Sequence, residues 1–463
     1  MSLTASSTVD IAQLRSVLHG RVIGPDDPDY DEARTVVSGE IDRRPAVITR
    51  VADDADVAHV VRLARETGIE LAVRSGGHSA AGHCTTDGGI VIDLRDMKAL
   101  KIDPEAHTAW AEAGLTAIEV TTGAAAHGLA IGFGDTGSVG IGGITLGGGV
   151  GYLVRKHGLT IDSLLAADVV TADGEVRRVD AESHPDLFWA IRGGGGNFGV
   201  ATRFLYRLQE LDGIVGGILV LPATPETVAG FIAASEAAPE ELSTIANVMT
   251  CPPMPFVPAE MHGQIVILAM VAYAGDADAG DRAIAPLRAL ATPLADLVKP
   301  MPYPEIYPPE EGDGSYHPTA VSRTMFVDRI DHRVATTIME HLQASDASMR
   351  VAQLRVLGGA MARLPNDATA FAHRSSRIMV NVAAFYEGLE DRPAKLAWVD
   401  ALSSALRQTD RGAYVNFLGD EGEARIRDAY PGRTWDRLAQ VKARYDPTNL
   451  FRRNQNVPPA VSA

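Results

Sequence analysis

The sequence predicts an α+β fold built from more than one domain, and three observations carry that expectation. The chain has 463 residues, against roughly 100–200 for an ordinary domain, so two or three domains are expected. Its first half mixes short apolar runs with helical periodicity, without the even spacing of a parallel α/β repeat. Its second half sets long amphipathic helices among apolar strands, the pattern of an antiparallel sheet covered on one face. Hydrophobic residues make up 46% and charged residues 22%, as in ordinary globular proteins, which excludes a disordered or collagen-like chain. The net charge of −17 argues against nucleic acid and anionic membranes as partners.

Taken in order, residues 46–50 read as a strand. Residues 54–65 read as a helix with an acidic start, placing Val57, Val60, Val61 and Ala64 on one face. Residues 71–74 and 90–94 read as short strands. A helix over 116–127 stops at Gly128. Strands 168–171 and 175–179 flank the turn Ala172-Asp173-Gly174. A short helix follows at 185–191, where Leu187, Phe188 and Trp189 pack inward. Strand 200–208 alternates Phe204, Tyr206 and Leu208. Composition shifts near residue 210. From there to about 415, helices are expected at 226–236, 281–291, 333–342 and 392–407, and strands at 217–221, 264–274, 351–357 and 378–385. A proline-rich stretch, 299–309, reads as a surface loop.

The N-terminus lacks a basic segment followed by an apolar one, so no secretory leader is expected. Between Asp135 and Arg155 lies an uncharged run, but 8 of its 19 residues are glycine. It therefore reads as a backbone-exposing loop rather than a membrane span. Cys84 and Cys251 are too few for a disulfide framework. A cytoplasmic location is the default expectation.

The 45 glycines are bunched. One cluster is Arg74-Ser75-Gly76-Gly77-His78-Ser79. A second, from Gly132 to Gly151, has 10 glycines in 20 residues. A third is Gly193-Gly194-Gly195-Gly196-Asn197-Phe198-Gly199. Glycine lets backbone approach a ligand and turn its amides toward an anion, so three such loops fit one large phosphate-bearing cofactor. Gly132-Phe133-Gly134-Asp135-Thr136-Gly137 matches a dinucleotide fingerprint by letter, but more glycine follows where a helix is required. A P-loop and a G-x-S-x-G elbow are absent. His78 either joins His83, Cys84 and Asp87 in a metal site, with a spacing that fits no zinc pattern, or points into the cofactor site. His127 and His157, like His83, read as structural or cofactor-adjacent.

These clusters, with residues 139–158, 186–200 and Tyr445-Asp446-Pro447-Thr448-Asn449-Leu450-Phe451, resemble the berberine-bridge-enzyme-like FAD-linked oxidases of the vanillyl-alcohol-oxidase superfamily. The motifs stand in the family's order over almost the whole chain. The resemblance implies a two-subdomain FAD-binding domain (residues 1–208, of the PCMH type), an inserted substrate domain (209–418) with a helix-covered antiparallel sheet, and a C-terminal return (419–463). It implies FAD as cofactor, a small-molecule substrate and O2 as partners, and no metal. His78 matches the histidine that bonds the flavin 8α carbon. Thr136, in Thr136-Gly137-Ser138-Val139-Gly140, replaces the cysteine that forms a second bond in many members. A single covalent link is therefore expected, as in mono-covalent oxidases of secondary metabolism.

Val139 matches a gate whose small size goes with oxidase activity and H2O2 release. The resemblance assigns the cofactor to Arg74, Ser75, Gly76, Gly77, His78, Ser79, Thr136, Gly137, Val139, Gly140, Gly142, Gly143, Gly147, Gly148, Tyr152, Gly195, Asn197, Gly199, Val200 and Asn454. Catalytic candidates are Tyr414 and Asn416 of a Y-x-N motif, Asn381 where plant members place a glutamate base, and Gln353 and Arg355 alternating on one strand. A structural hydrogen-bonding role is equally open for each of these strand residues. Tyr414 is the leading candidate: donor, acceptor or, with a lowered pKa, base. Alternatives are a carbohydrate oxidase, against which Thr136 argues, a flavoprotein with a non-oxidase role, and a metal-dependent enzyme.

Overall fold

Apolar periodicity in the first half resolves, in the computed structural model, into two sheets; the structure describes residues 9–308 and 317–461. The smaller sheet orders its strands Arg21–Ile23, Val47–Arg50, Ile90–Asp93, Leu71–Arg74, the last three parallel. The helix Asp54–Thr67 starts where the Asp53 carboxylate accepts from Asp56 N (3.0 Å) and ends at Gly68 in the left-handed region. Its Val57, Val60, Val61 and Ala64 are fully buried, as their spacing predicts. The second sheet orders Leu100–Asp103, Thr108–Glu112, Val200–Arg207, Leu164–Val170, Val176–Asp180.

From Ile214 the chain builds an eight-stranded antiparallel sheet. Its path runs Ala295–Asp296, Ile214–Pro222, Ile265–Tyr273, Leu242–Thr250, Arg350–Val356, Ile378–Phe385, Ala320–Val327, and Lys299–Met301 pairs with Ile214–Pro222 off the path. Helices Pro225–Ala237, Ala277–Arg288, His332–Ala344 and Arg392–Leu406 cover one face. Phe231, Ile284, Ile338 and Leu402 fill the core between them. The other face turns toward the first half, with Ser322 and Asn381 on the cavity described below. Among the described residues no helix is long and apolar enough to cross a membrane.

Several features depart from the sequence reading. Strands Leu242–Thr250 and Ala320–Val327 were not expected, because serine, threonine and asparagine interrupt their apolar alternation. The second glycine cluster holds a helix, Ile141–Leu146, rather than loop throughout. The proline-rich stretch is not a surface loop: Tyr303, Ile306 and Tyr307 are buried. The Tyr307 ring packs 5.9 Å from Tyr303 and 6.1 Å from Tyr152; Pro309 lies outside the described residues. Gln209–Glu210 still pairs with Leu129–Ala130 of the first half, so the large sheet begins a few residues after 209.

The tail returns through Arg433–Tyr445, which packs on Pro185–Ile191. Lys442 and Asp446, both fully buried, pair at 2.7 Å. Lys442 Nζ also donates to Asn197 O (2.7 Å) and Phe451 O (2.8 Å), and Asp446 accepts from Leu450 N and Phe451 N. One ion pair thus ties the tail to the third glycine cluster.

Candidate active site

The three glycine loops meet through hydrogen bonds, the first joined to the second by the Ser75 hydroxyl and the second to the third by the Leu146 carbonyl. Ser75, just past the strand Leu71–Arg74, donates from Oγ to Ala113 O (2.6 Å) and accepts from Gly142 N (3.2 Å). Gly140 lies so close that a Cβ there would overlap Ser75 Oγ and Gly76 N. At the end of Ile141–Leu146, the Leu146 carbonyl accepts from Gly193 N (2.9 Å) and Gly195 N (3.0 Å). Asn197 closes the third loop on the tail. Its Nδ2 donates to Gly194 O and Gln455 O, and its Oδ1 accepts from Val457 N.

These loops and the open face of the large sheet enclose a cavity of about 470 Å³. Ser75, Gly76, Gly77, His78, Ser79, Thr136, Val139, Gly140, Gly142, Gly143, Gly195, Asn197, Gly199, Val200 and Asn454 line it, as do Asn381, Tyr414 and Asn416 from the other side. Its wall carries buried polar atoms without protein partners: both ring nitrogens of His83, Asn454 Oδ1 and Asn381 Oδ1. A largely apolar cavity walled by close-packed backbone and unsatisfied donors and acceptors fits a large polar heterocycle with a phosphate chain.

Other assigned residues stand behind the wall. Arg74 is buried and donates to Cys84 O, Arg34 O and Ala33 O, supporting the first loop from the rear. Gly137 abuts Ile118 and Tyr307, and Gly147 packs on Asn416. Gly148 faces Phe371 and Tyr414. Tyr152 is buried, its hydroxyl donating to Asp135 O (3.4 Å).

The sheet wall is organised by register. Asn247 pairs with Gln353, Gln353 with Asn381, and Asn381 with Thr324. Residues directly opposite share a face, so four uncharged polar side chains form one row across four strands. Gln353 and Arg355 lie on this face but do not reach the cavity. Arg355 pairs with Asp135, donates to Gln353 Oε1 (Nε at 3.0 Å, Nη2 at 2.7 Å) and sits 5.1 Å over the Phe417 ring. Gln353 Nε2 in turn donates to Asn247 Oδ1 (2.9 Å). Both are supports rather than groups that touch a ligand.

Tyr414 is 1% exposed. Its hydroxyl accepts from Gly149 N (3.1 Å), Val150 N (3.2 Å) and Asn416 Nδ2 (2.9 Å). Burial pushes the phenol above its usual range despite these donors, which overturns the lowered pKa that a tyrosine base would need. The residue pins Gly149 and Val150 to the wall.

A family model described as FAD binding domain matches residues 45–180, and one described as Berberine and berberine like matches residues 413–458. The chain is 32% identical over 457 residues to (R)-6-hydroxynicotine oxidase of Paenarthrobacter nicotinovorans, covering 96% of this chain and 97% of that one. It belongs to the berberine-bridge-enzyme-like family of FAD-linked oxidases.

Solved structures agree with this membership. The oxidase superposes on 6-hydroxy-D-nicotine oxidase from Arthrobacter nicotinovorans with a TM-score of 0.83 at 29% identity, covering 99% of this chain and 100% of that one. A xylooligosaccharide oxidase from Myceliophthora thermophila superposes with a TM-score of 0.85 at 26% identity, covering 98% and 100%. The matched FAD-binding domain gives the oxidase FAD as its cofactor.

Sequence reasoning missed several lining residues of the oxidase: Ser322, Phe417, Leu418, Tyr430, Phe451, Arg453 and Gln455. Phe451 stood only as the last letter of the tail motif, Phe417 follows the Y-x-N motif without belonging to it, and Ser322 stands on an unexpected strand with no motif around it. His83 lines the cavity, where burial lowers its pKa to about 4. The His and Asp side chains close enough to share a metal ion, among the described residues, are His19, Asp53 and Asp56. They lie outside the cavity, and Asp56 is already bonded to the backbone N–H groups of His19, Gly20 and Ala52.

Proposed function

We propose that the oxidase holds FAD through one covalent bond, at His78, and oxidises a small-molecule C–H next to nitrogen or oxygen, with H2O2 as product. One observation carries this reading: His78 and Thr136 line the same cavity. An imidazole nucleophile stands at one attachment position, and a side chain without a thiol stands at the other. FAD, when bound, supplies the hydride acceptor and returns the electrons to O2.

The chain's own residues do the rest. Tyr414 holds the Gly149–Val150 backbone in place. Asn381 Oδ1, buried on the wall, receives an O–H or N–H of the substrate. Val139 is small and leaves room on the wall for O2. Among the described lining residues the one acidic side chain, Asp135, is engaged by Arg355, so these residues present no free carboxylate. Acid precipitation tests the tether: yellow pellets are expected from the wild type and colourless ones from His78→Ala. A colourless wild-type pellet overturns it.

A second reading, oxidation of an oligosaccharide hydroxyl, is favoured by the uncharged row Asn247, Gln353, Asn381 and Thr324. Such a row pairs with neutral hydroxyls and offers no counter-charge to an ammonium group. The chain is also 30% identical over 468 residues to a xylooligosaccharide oxidase of Thermothelomyces thermophilus. H2O2 release from matched panels of amines, alcohols and sugars separates the two readings.

A further inference from the structure

The loop that follows His78 lies between the strands Leu71–Arg74 and Ile90–Asp93 and contains no strand or helix of its own. Its local hydrogen bonds run from Gly82 N to Ser79 O (3.0 Å), from His83 N to Ser79 Oγ (3.1 Å) and from Thr85 N to Gly82 O (3.3 Å). Two guanidinium groups complete it. Arg453 Nη2 donates to Gly82 O (3.0 Å) and Thr85 O (2.8 Å). Arg43 Nη1 donates to the same two carbonyls, at 2.6 and 3.2 Å.

Placing two cations on one pair of carbonyls costs repulsion. Among the described residues neither makes a close ion pair to offset it: the carboxylate nearest Arg453 there is that of Glu70, 3.8 Å from Nε. Stability alone does not ask for this arrangement; a fixed loop shape does. The two arginines also come from opposite ends of the chain. Arg453 follows directly on the segment that Lys442 and Asp446 hold against the third glycine cluster, and it lines the cofactor cavity itself.

We infer that Arg453, together with Arg43, is a positioning residue for covalent attachment of the flavin: it holds the loop so that His78 meets the cofactor, and it can do so only after the tail has docked. This rests on the tether proposed above. In the attachment an imidazole nitrogen of His78 bonds the 8α carbon of FAD. The imidazole N–H and one 8α C–H give up their protons, the electron pair stays on the flavin, and O2 removes it as H2O2. Such a step needs near-attack geometry, and a misplacement of about 1 Å costs up to roughly 100-fold in rate. Non-covalent binding is spread over three loops and suffers less.

The test uses full-length protein from riboflavin-depleted cells, mixed with FAD. Total flavin is read from native protein, and covalent flavin from fluorescence of the denatured band. Arg453→Met is expected to lower covalent flavin relative to total bound flavin, with attachment roughly 10- to 100-fold slower, and Arg43→Met, whose side chain is not among those lining the cavity, is expected to keep wild-type amounts of bound FAD. Arg453→Lys, which keeps a donor for these carbonyls, is expected to recover part of the rate. Arg43→Met should shift the same ratio and serves if Arg453→Met does not fold. Attachment at the wild-type rate in Arg453→Met, or a covalent fraction that falls only in step with total flavin, overturns the inference. Wild-type protein without covalent flavin overturns the tether instead, and His78→Ala supplies that baseline.

Discussion

The two walls of the cavity are built by opposite means. The wall made by the glycine loops is backbone: Gly140 against Gly76, and Leu146 O shared by Gly193 N and Gly195 N. The wall made by the large sheet is side chain: Asn247, Gln353, Asn381 and Thr324 in register on regular strands. A backbone wall tolerates no added atom where its loops touch, as at Gly76 and Gly140, but reads the constant parts of a cofactor. A side-chain wall can be altered position by position without disturbing the strands beneath it, because register depends on the backbone ladder and on the apolar face. One fold can therefore keep its cofactor while its substrate changes.

Four measurements break or sharpen that contrast. Gly140→Ala should have the largest effect, because its methyl group would overlap Ser75 Oγ and Gly76 N. Purified protein is expected to lose its flavin absorbance; full retention would mean that the loops part easily. Asp446→Asn leaves the buried Lys442 ammonium without its anion. The expected loss is about 3–5 kcal/mol, read from denaturant midpoints. Asn381→Ala should leave flavin content at the wild-type level and raise the KM of whichever substrate is turned over by roughly 10-fold, the worth of about one hydrogen bond to a buried acceptor. Loss of flavin in this variant would erase the distinction between the walls.

The effect of pH is the most gradual, spread over more than two pH units. Burial lowers His83 and His157 from 6.5 to about 4. In the unfolded chain both are protonated below about 6.5, whereas in the folded chain they stay neutral down to about 4. The unfolded state therefore binds more protons in this window, and stability falls as pH drops through it. Thermal midpoints should decline from pH 6.5 toward 4, and His83→Gln should flatten part of that slope.

What was legible in the sequence follows the same divide. The glycine clusters announced loops that share one cavity because glycine marks backbone that must come close, and that mark survives in the letters; the resemblance picked out His78, Thr136, Val139 and Asn197 among them, and all four line the cavity. Arg355 was read on the correct face from strand alternation, but its capture by Asp135, 220 residues away, is invisible to periodicity. Ser322 carried no signal at all: a serine on a strand is ordinary until neighbouring strands set which way it points. Tyr303 and Tyr307 were misread for a related reason. The prolines around them suggested a surface loop, while Tyr152 and Ile306 give their rings a buried site.

By itself the sequence determined the fold class and the cofactor loops. Those are local matters of backbone freedom, spacing and side-chain chemistry. The tertiary structure alone decided that Tyr414 is a buried support, that Arg355 braces Asp135, and that Arg43 and Arg453 meet on one loop. Each depends on groups far apart in the chain sharing one dry space, where desolvation and the direction of a donor, not residue type, set what a side chain can do.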